Sequence, residues 1–292
     1  SKGSLDAKGQ ASVLDLYDVS KLKSPVLNDS ESSWAKIDEY VKAELAKIKA
    51  GGKKIRIVSS SLNSPSAKAV VTDFVAKYPT TKHVQYDAVS YTGIIKANEA
   101  SFGKAVLPQY HFEKAQVIVS FGADFLGTWI SPVEFSKGYT INRQPNAEGG
   151  MSKHIQLEAN MTLSGAAADK RIPMSVAEQK QALVKIFSIV TGTPVAVGKL
   201  SNEAEIVKIA EQLNQSGTKG VLVSGIDDKN AQLLVLAINA KLNSEAFNPN
   251  QTRQIRKGSN QAVAQLVADL NGGKVHTLIM SGVNPVYSLA DG

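Results

Sequence analysis

The segment Val117-Ile-Val-Ser-Phe-Gly-Ala-Asp124 constrains the fold more than any other stretch. Val117 to Phe121 is an apolar run of strand length, rich in β-branched residues, and reads as a buried strand. Gly122 ends it where the backbone needs a freedom that a side chain denies. The chain then turns through Asp124, Phe125 and Trp129 towards a helix start at Pro132. A buried strand closed by a glycine turn belongs in an α/β sheet, whose carboxyl edge is where such sheets carry their sites. The design returns late in the chain, in Val275-His-Thr-Leu-Ile-Met-Ser-Gly-Val-Asn-Pro285. The two tips lead to the expectation of two sheets whose glycine bends face one cleft.

Between these tips, strands alternate with helices, which implies mainly parallel sheets. Residues 1–31 read as an arm with turn formers at Ser24-Pro25 and Asn28-Asp-Ser30 and a short apolar patch from Val13 to Tyr17, expected to pack on something else. The first helix follows: Trp34, Ile37, Val41, Leu45 and Ile48 recur at helical spacing, Ser32 or Ser33 caps its start, and Gly51-Gly52 ends it. The spacing further predicts strands near 54–59, 83–86, 154–157 and 220–224. Residues 191–199, rich in glycine, proline and β-branched residues, read as a domain boundary, and 243–257 as a polar loop carrying Arg253, Arg256 and Lys257.

At 292 residues, with 43% hydrophobic and 20% charged residues, the chain has the balance of a globular protein of two domains. Its net charge of +7 is spread among acidic residues without a basic run, so no nucleic-acid partner is expected. The absence of cysteine excludes disulfides, thiolate metal sites, iron–sulfur ligation and cysteine nucleophiles within these residues. No apolar run approaches the ~18 residues of a membrane span. The start lacks a leader or an initiating Met and the end follows a strand, which reads as a slice of a longer protein.

Phosphate-cradling templates are missing: no G-x-x-x-x-G-K-[ST] occurs, and no G-x-G-x-x-G follows a strand. The glycine turns at Gly122, Gly225 and Gly282 can either approach a ligand closely or simply end strands. The four histidines, His83, His111, His154 and His276, each flank an apolar strand without metal-ligand spacing and read as structural. Serines lack the nucleophile-elbow pattern. Asp87 and Ser90 project from a sheet edge, where Asp87 either meets a ligand or caps the next helix. Asp124 likewise either contacts a ligand or bonds its own turn, and Asp169-Lys-Arg171 reads as a solvated corner.

Taken together, several stretches resemble the molybdopterin oxidoreductase superfamily, and within it the molybdopterin-like large subunit of bacterial alternative complex III. They are Ala11-Ser-Val-Leu-Asp-Leu-Tyr-Asp18, His83-Val-Gln-Tyr-Asp-Ala-Val-Ser-Tyr91, Tyr110-His-Phe-Glu-Lys-Ala115 and Gly122-Ala-Asp-Phe-Leu-Gly-Thr-Trp-Ile-Ser-Pro132. Met151-Ser-Lys-His-Ile-Gln156, Gly165-Ala-Ala-Ala-Asp-Lys-Arg171 and Gly282-Val-Asn-Pro285 follow in the same order. The resemblance implies two Rossmann-like αβα domains, one inserted into the other. After an arm at 1–32, a discontinuous domain is expected over 33–84 plus 193–292, with the insert over 85–192.

The resemblance also makes Gly122, Asp124, Gly282 and Asn284 the counterparts of the turns that hold a molybdenum cofactor in active relatives. Their metal-ligand position offers Ala88 here, with Asp87 and Ser90 nearby, and Glu158 with Ala159 stands where a nucleotide-gripping Asp-Pro-Arg is common. These departures imply a non-catalytic scaffold in a quinol-oxidising respiratory complex, on the periplasmic side of the bacterial inner membrane. It would touch other subunits of that complex, including its iron–sulfur region and haem subunits, with the iron–sulfur clusters held elsewhere in the full-length protein and no molybdopterin expected. The alternative is a fragment of an active molybdenum–bis(pyranopterin guanine dinucleotide) oxidoreductase using Asp87 or Ser90. A two-lobed small-molecule binding module is the third reading.

Overall fold

A computed structural model of the chain describes residues 3–145 and 150–289, so the polar loop expected over 142–150 lies partly outside the described residues. The chain forms two α/β units, one inserted in the sequence of the other. The discontinuous unit is Asp6–Ser90 with the segment from Lys257 onward, and the inserted unit is Tyr91–Arg256.

The discontinuous unit opens with helix α1 (Ala7–Ala11), a 3-10 helix (Ser12–Tyr17) and a small antiparallel ladder of β1 (Val26–Leu27) with β2 (Ser30–Glu31). Helix α2 (Trp34–Ala50) starts where the Ser33 side chain accepts from Lys36 N, and it ends at Gly51. Strand β3 (Ile55–Ser59), helix α3 (Pro65–Lys77) and strand β4 (Thr81–Gln85) follow, with Ser64 capping α3 and Pro65 in its first turn. Proline suits that place because its missing N–H has no intrahelical partner there.

The inserted unit begins with α4 (Thr92–Phe102), which Gly103 terminates in the left-handed region. Strands β5 (Leu107–Tyr110) and β6 (Val117–Phe121), helix α5 (Pro132–Ile141), strand β7 (Lys153–Glu158), helix α6 (Leu163–Ala167) and strand β8 (Lys170–Pro173) come next. Helices α7 (Val176–Thr191) and α8 (Glu203–Ser216), strand β9 (Gly220–Ser224), helix α9 (Lys229–Leu242) and strand β10 (Phe247–Arg253) complete it. The discontinuous unit then resumes with α10 (Asn260–Asn271), β11 (Thr277–Ser281) and α11 (Pro285–Ser288).

Each unit has a parallel sheet of the same plan. In the inserted unit the order is β8-β7-β6-β9, with Phe121 beside Leu157 on one side and Ser224 on the other. In the discontinuous unit it is β11-β3-β4, with Ser59 beside Ser281 and Gln85. The first strand of each sheet is thus central, the second lies on one flank and a later strand on the other. The inserted sheet is covered on both faces. Val119, Phe121, Ile155, Leu157 and Leu222 pack with residues of α7, α8 and α9, while Ile118, Val221 and Val223 join an aromatic group around Phe112, Phe125 and Phe135.

Two sequence expectations are corrected. Residues 193–256 pack with the inserted unit, so its end falls at Arg256 and not near residue 192. The reason is pairing: β9 forms a ladder with β6, and α8 packs on α7. Strand alternation states that a strand joins a parallel sheet but not which one. Similarly, the polar stretch 243–257 contains β10, which runs antiparallel to β5 and sets Phe247 opposite Tyr110.

Candidate functional site

In an open parallel sheet the crevice for ligands lies beyond the carboxyl ends of the strands, where the strand order reverses. In the inserted unit that point is between β6 and β9. Gly122 there has φ of +62°, and a Cβ on Gly225 would stand 2.5 Å from Gly122 O. The turns are stitched together by Gly122 N donating to Leu157 O and Gly225 N donating to Phe121 O, both at 2.8 Å. A cleft of about 440 Å³ opens beside them, lined by Gly122, Glu158, Thr162, Gln179, Lys180 and Asp228 among others.

The walls of this cleft are bonded to one another. Glu158, 2% exposed, accepts from Arg171 Nε at 2.7 Å, Thr162 N at 3.1 Å, Thr162 Oγ1 at 2.7 Å and Gln156 Nε2 at 3.2 Å. Burial pushes its pKa up, but the Arg171, Thr162 and Gln156 bonds together hold it below the usual carboxylate range. Two lone pairs per oxygen are therefore already engaged. A Cβ on Gly165 would collide with the same carboxylate, so this close approach needs glycine. Lys180 Nζ pairs with Asp228 at 3.1 Å, and buried Gln179 donates to Met174 O at 3.0 Å.

Behind Glu158 runs a buried polar column. Tyr139 Oη lies 3.3 Å from His154 Nδ1, His154 Nε2 lies 3.1 Å from Gln156 Oε1, and Gln156 Nε2 donates to Glu158. His154, Gln156 and Glu158 alternate along β7 and so share one face of the strand. Burial lowers the His154 pKa to about 4, against the opposing influence of Gln156 and Asp169, so the ring is neutral near pH 7. Asp169 anchors the start of the column, accepting from His154 N at 2.7 Å and pairing with Arg143. The stretch Asp169-Lys-Arg171, read as a solvated corner, instead contributes both of these anchors.

The other candidates of the inserted unit have local roles. Asp124 accepts from Ser164 N at 3.0 Å, Ser164 Oγ at 2.9 Å and Thr128 Oγ1 at 3.2 Å, so it organises its own turn and ties it to α6. Phe125 stacks on Phe112 at 4.3 Å, and Trp129 is buried near Tyr110. Asp227, unnoticed in the sequence, accepts from Gly93 N at 2.6 Å and so fixes the start of α4 on the turn after β9. Arg253 pairs with Glu134, and Arg256 lies over the Tyr91 ring, so neither belongs to a basic patch.

In the discontinuous unit the structure brings Asp87 together with Ser61, Lys257 and Gly258. The Asp87 carboxylate accepts from Ser61 Oγ at 2.6 Å, Gly258 N at 2.8 Å, and Ser61 N and Lys257 N at 3.2 Å. A Cβ on Gly258 would sit 2.8 Å from Asp87 N. Asp87 thus latches the outgoing chain after β4 to the returning chain at Lys257, and it does not cap α4. With Ala88 and Ser90 it lines a second cavity of about 580 Å³, whose walls include Tyr86, Val263, Val267 and Leu289. Tyr86 Oη donates to Ser288 Oγ at 2.7 Å.

Gly282 has φ of +64°, and Asn284 caps α11 by accepting from Tyr287 N. The histidines lie apart and bond to different neighbours: His83 to Ser59, His111 to Glu113 and Gln251, His276 to Lys53 and Thr277. Among the described residues no group of three or more His, Asp or Glu is arranged to hold a metal ion, and no helix is long and apolar enough to cross a membrane.

No family model and no curated protein matches the sequence. The fold is shared with solved structures. Acetylene hydratase from Pelobacter acetylenicus matches with a TM-score of 0.56 and 12% identity over 84% of this chain and 39% of its own. The formyltransferase/hydrolase complex from Methylorubrum extorquens, in complex with methylofuran, matches with a TM-score of 0.50 and 13% identity over 87% of this chain and 60% of its own. The chain spans less than two thirds of either, and at these identities the likeness is one of fold.

Proposed function

We propose that the chain is a non-catalytic, molybdopterin-oxidoreductase-like scaffold region of a quinol-oxidising respiratory complex of the alternative complex III type. It holds no metal or pterin itself and acts beside the iron–sulfur region of the full-length protein and the haem subunits, on the periplasmic side of the bacterial inner membrane. The ordered sequence stretches, from the Ala11-to-Asp18 motif to Gly282-Val-Asn-Pro285, support the family, and the two-unit parallel fold agrees with it. One neighbour in fold is itself a multi-protein complex, which fits a subunit role.

The observation that carries the non-catalytic part is the state of Asp87. At the position where a metal ligand would stand, Ala88 has no donor atom, and the neighbouring carboxylate is occupied by hydroxyl and backbone donors from Ser61, Lys257 and Gly258. Three of its four donors converge on Oδ2, so a ligand bound through that oxygen would displace the latch, whereas Oδ1 accepts only from Ser61 N. In the inserted unit Glu158 is filled more completely, with two donors on each oxygen from Arg171, Thr162 and Gln156, which leaves it no acceptor capacity for a ribose diol.

Metal and pterin analysis of the intact protein tests the reading, with substoichiometric molybdenum and tungsten and no pterin expected. A stoichiometric molybdenum cofactor would establish the alternative, an active oxidoreductase fragment. In that case Asp87→Ala combined with Ser90→Ala removes the metal, whereas on the scaffold reading the double variant alters only local stability.

A further inference from the structure

In a parallel α/β sheet the helices run back against the strands, so helix carboxyl ends and strand amino ends share one edge. In the discontinuous unit that edge gathers lysines that lie far apart in the sequence. The strands start in register, with Thr277 beside Ile55 and Ile55 beside Thr81. Helix α2 ends in Lys47 and Lys49, and Lys53 and Lys54 lead into β3. Helix α3 ends at Lys77, while Lys274 and His276 lead into β11. These pieces touch: His276 N donates to Lys54 O at 3.0 Å, Thr80 Oγ1 donates to Lys53 O at 2.7 Å, and Lys53 Nζ lies 3.0 Å from His276 Nε2. Lys49 Nζ and Lys77 Nζ stand 5.9 Å and 5.8 Å from the centre of the Tyr78 ring.

Lysine at a helix carboxyl end is favourable by itself, because each such end carries about −0.5 of a charge. The ends of α2, α3 and α10 together supply about −1.5. The carboxylates nearby are few: Glu44 pairs with Lys47, Asp269 pairs with Arg56 and, at longer range, meets Lys274, and Asp73 lies one turn back from Lys77. Lys49, Lys53, Lys54, Lys77 and Lys274 are all exposed. Setting helix ends and carboxylates against the basic side chains leaves an excess of roughly two to three positive charges. Helix capping therefore accounts for only part of the cluster.

We propose that this edge rests on an anionic lipid surface, with its lysines meeting the phosphate headgroups. Residue type selects the occupant. The exposed cations of the edge are lysines, and Arg56 is buried beneath them. Lysine is depleted and arginine enriched where proteins meet one another, whereas compact ammonium charges on flexible stems suit mobile headgroups. Tyr78, half-buried beside Lys49 and Lys77, is an aromatic of the kind that lies at headgroup depth. The edge is built of helix ends and short turns, so it offers no helix or β-ribbon to enter a nucleic-acid groove. A second copy of this chain, of net charge +7, would meet it with like charge. The inference is independent of the proposed function, because it requires no cofactor and no electron transfer.

The test measures co-sedimentation of the full chain with vesicles of pure phosphatidylcholine and of phosphatidylcholine mixed with phosphatidylglycerol. Binding is expected only to the anionic vesicles and should weaken as salt is raised, because exposed charges are screened. Each lysine near such a surface strengthens partitioning about fivefold, so Lys53→Gln with Lys54→Gln should lower it about 25-fold. Lys49→Gln with Lys274→Gln, far apart in sequence but on the same edge, should lose as much. Lys208→Gln with Lys241→Gln removes the same charge from exposed positions of the inserted unit and should change partitioning less than about twofold. Equal binding to pure phosphatidylcholine, equal losses in all three double variants, tighter binding to poly-glutamate or duplex DNA than to the anionic vesicles, or self-association that Lys53→Gln with Lys54→Gln abolishes would overturn the proposal.

Discussion

The two units share a strand plan but differ in how they protect it. In the inserted unit the flanking strand β9 is fully buried, and its outer edge is clamped by a side chain: Leu222 N donates to Asn239 Oδ1 at 2.9 Å, and Asn239 Nδ2 donates to Leu222 O at 2.7 Å. The equivalent strand of the discontinuous unit, β11, leaves Leu278 39% and Met280 54% exposed. Among the described residues it has no comparable clamp. Unpaired strand edges are normally covered, charged or shortened. The contrast shows that one strand plan can be closed by a fully buried flanking strand in one unit and, in the other, stand on a smaller core of Val58, Val84, Tyr86 and Leu266 helped by polar ties such as the Asp87 latch.

The largest expected effect breaks the closed core. Phe112 is fully buried, stacked on Phe125 and edge-on to Phe135 at 5.2 Å. Phe112→Ala should cost ~3–5 kcal/mol in denaturant unfolding of the inserted unit. Met280→Ala in β11 should cost only about 0.5 kcal/mol. Equal losses would mean that the two sheets are equally committed to their cores.

Acid should separate the units next. His154 is held neutral with a pKa of about 4, below the ordinary 6.5. The native state therefore binds fewer protons than the unfolded chain, and stability falls as pH drops from 6.5 and levels off near 4. The loss approaches about 3 kcal/mol at the low end. His154→Gln should flatten the unfolding free energy of the inserted unit between about pH 6.5 and 5.5, above the range in which the lowered carboxyls Glu158, Glu134 and Asp169 contribute a slope of the same sign. A slope that persists in the variant would assign the acid sensitivity to another group. His83 in the discontinuous unit is shifted the same way by burial, so its contribution should survive that variant.

A smaller effect is expected at the latch. Asp87→Ala removes a carboxylate that accepts from Ser61, Lys257 and Gly258, and should cost about 2 kcal/mol. Backbone amide exchange should accelerate around 257–259 and 60–62 and stay unchanged in β6 and β9. Uniform acceleration across both sheets would show that the latch holds the whole chain.

How these features were written in the sequence differs. Strands β6 and β9 were legible because a doubly covered strand is apolar almost throughout, and β3 because Ile55, Ile57 and Val58 surround Arg56. Strands β5 and β10 were not: Leu-Pro-Gln-Tyr and Phe-Asn-Pro-Asn-Gln-Thr-Arg carry proline and amides that suit an antiparallel edge pair and read as loop. The polar column was half legible. His154, Gln156 and Glu158 recur at the two-residue spacing of one strand face, yet nothing local announces that Tyr139 and Arg171 complete it. Asp87 stands out because it follows a strand, but its partners at 257–258 lie about 170 residues further along the chain, and no spacing rule links them.

The smallest effect refines the comparison at the cleft itself. Lys180 and Asp228 pair across the inserted unit's crevice, but both side chains are more than a third exposed, so solvent screens them and the pair contributes at most about 0.5 kcal/mol. Asp228 also caps α9 by accepting from Ala231 N at 2.9 Å, a bond that does not depend on the lysine. Lys180→Met should therefore leave stability within about 0.5 kcal/mol of the parent. It should also leave the salt dependence of unfolding almost flat. The Glu158–Arg171 pair lies deeper, with the carboxylate almost wholly enclosed, so Arg171→Met strands a buried charge and should cost several times as much, on the order of 3 kcal/mol. If the two variants were equally mild, Glu158 would be reachable by water, and its acceptor sites would be open to a ligand after all.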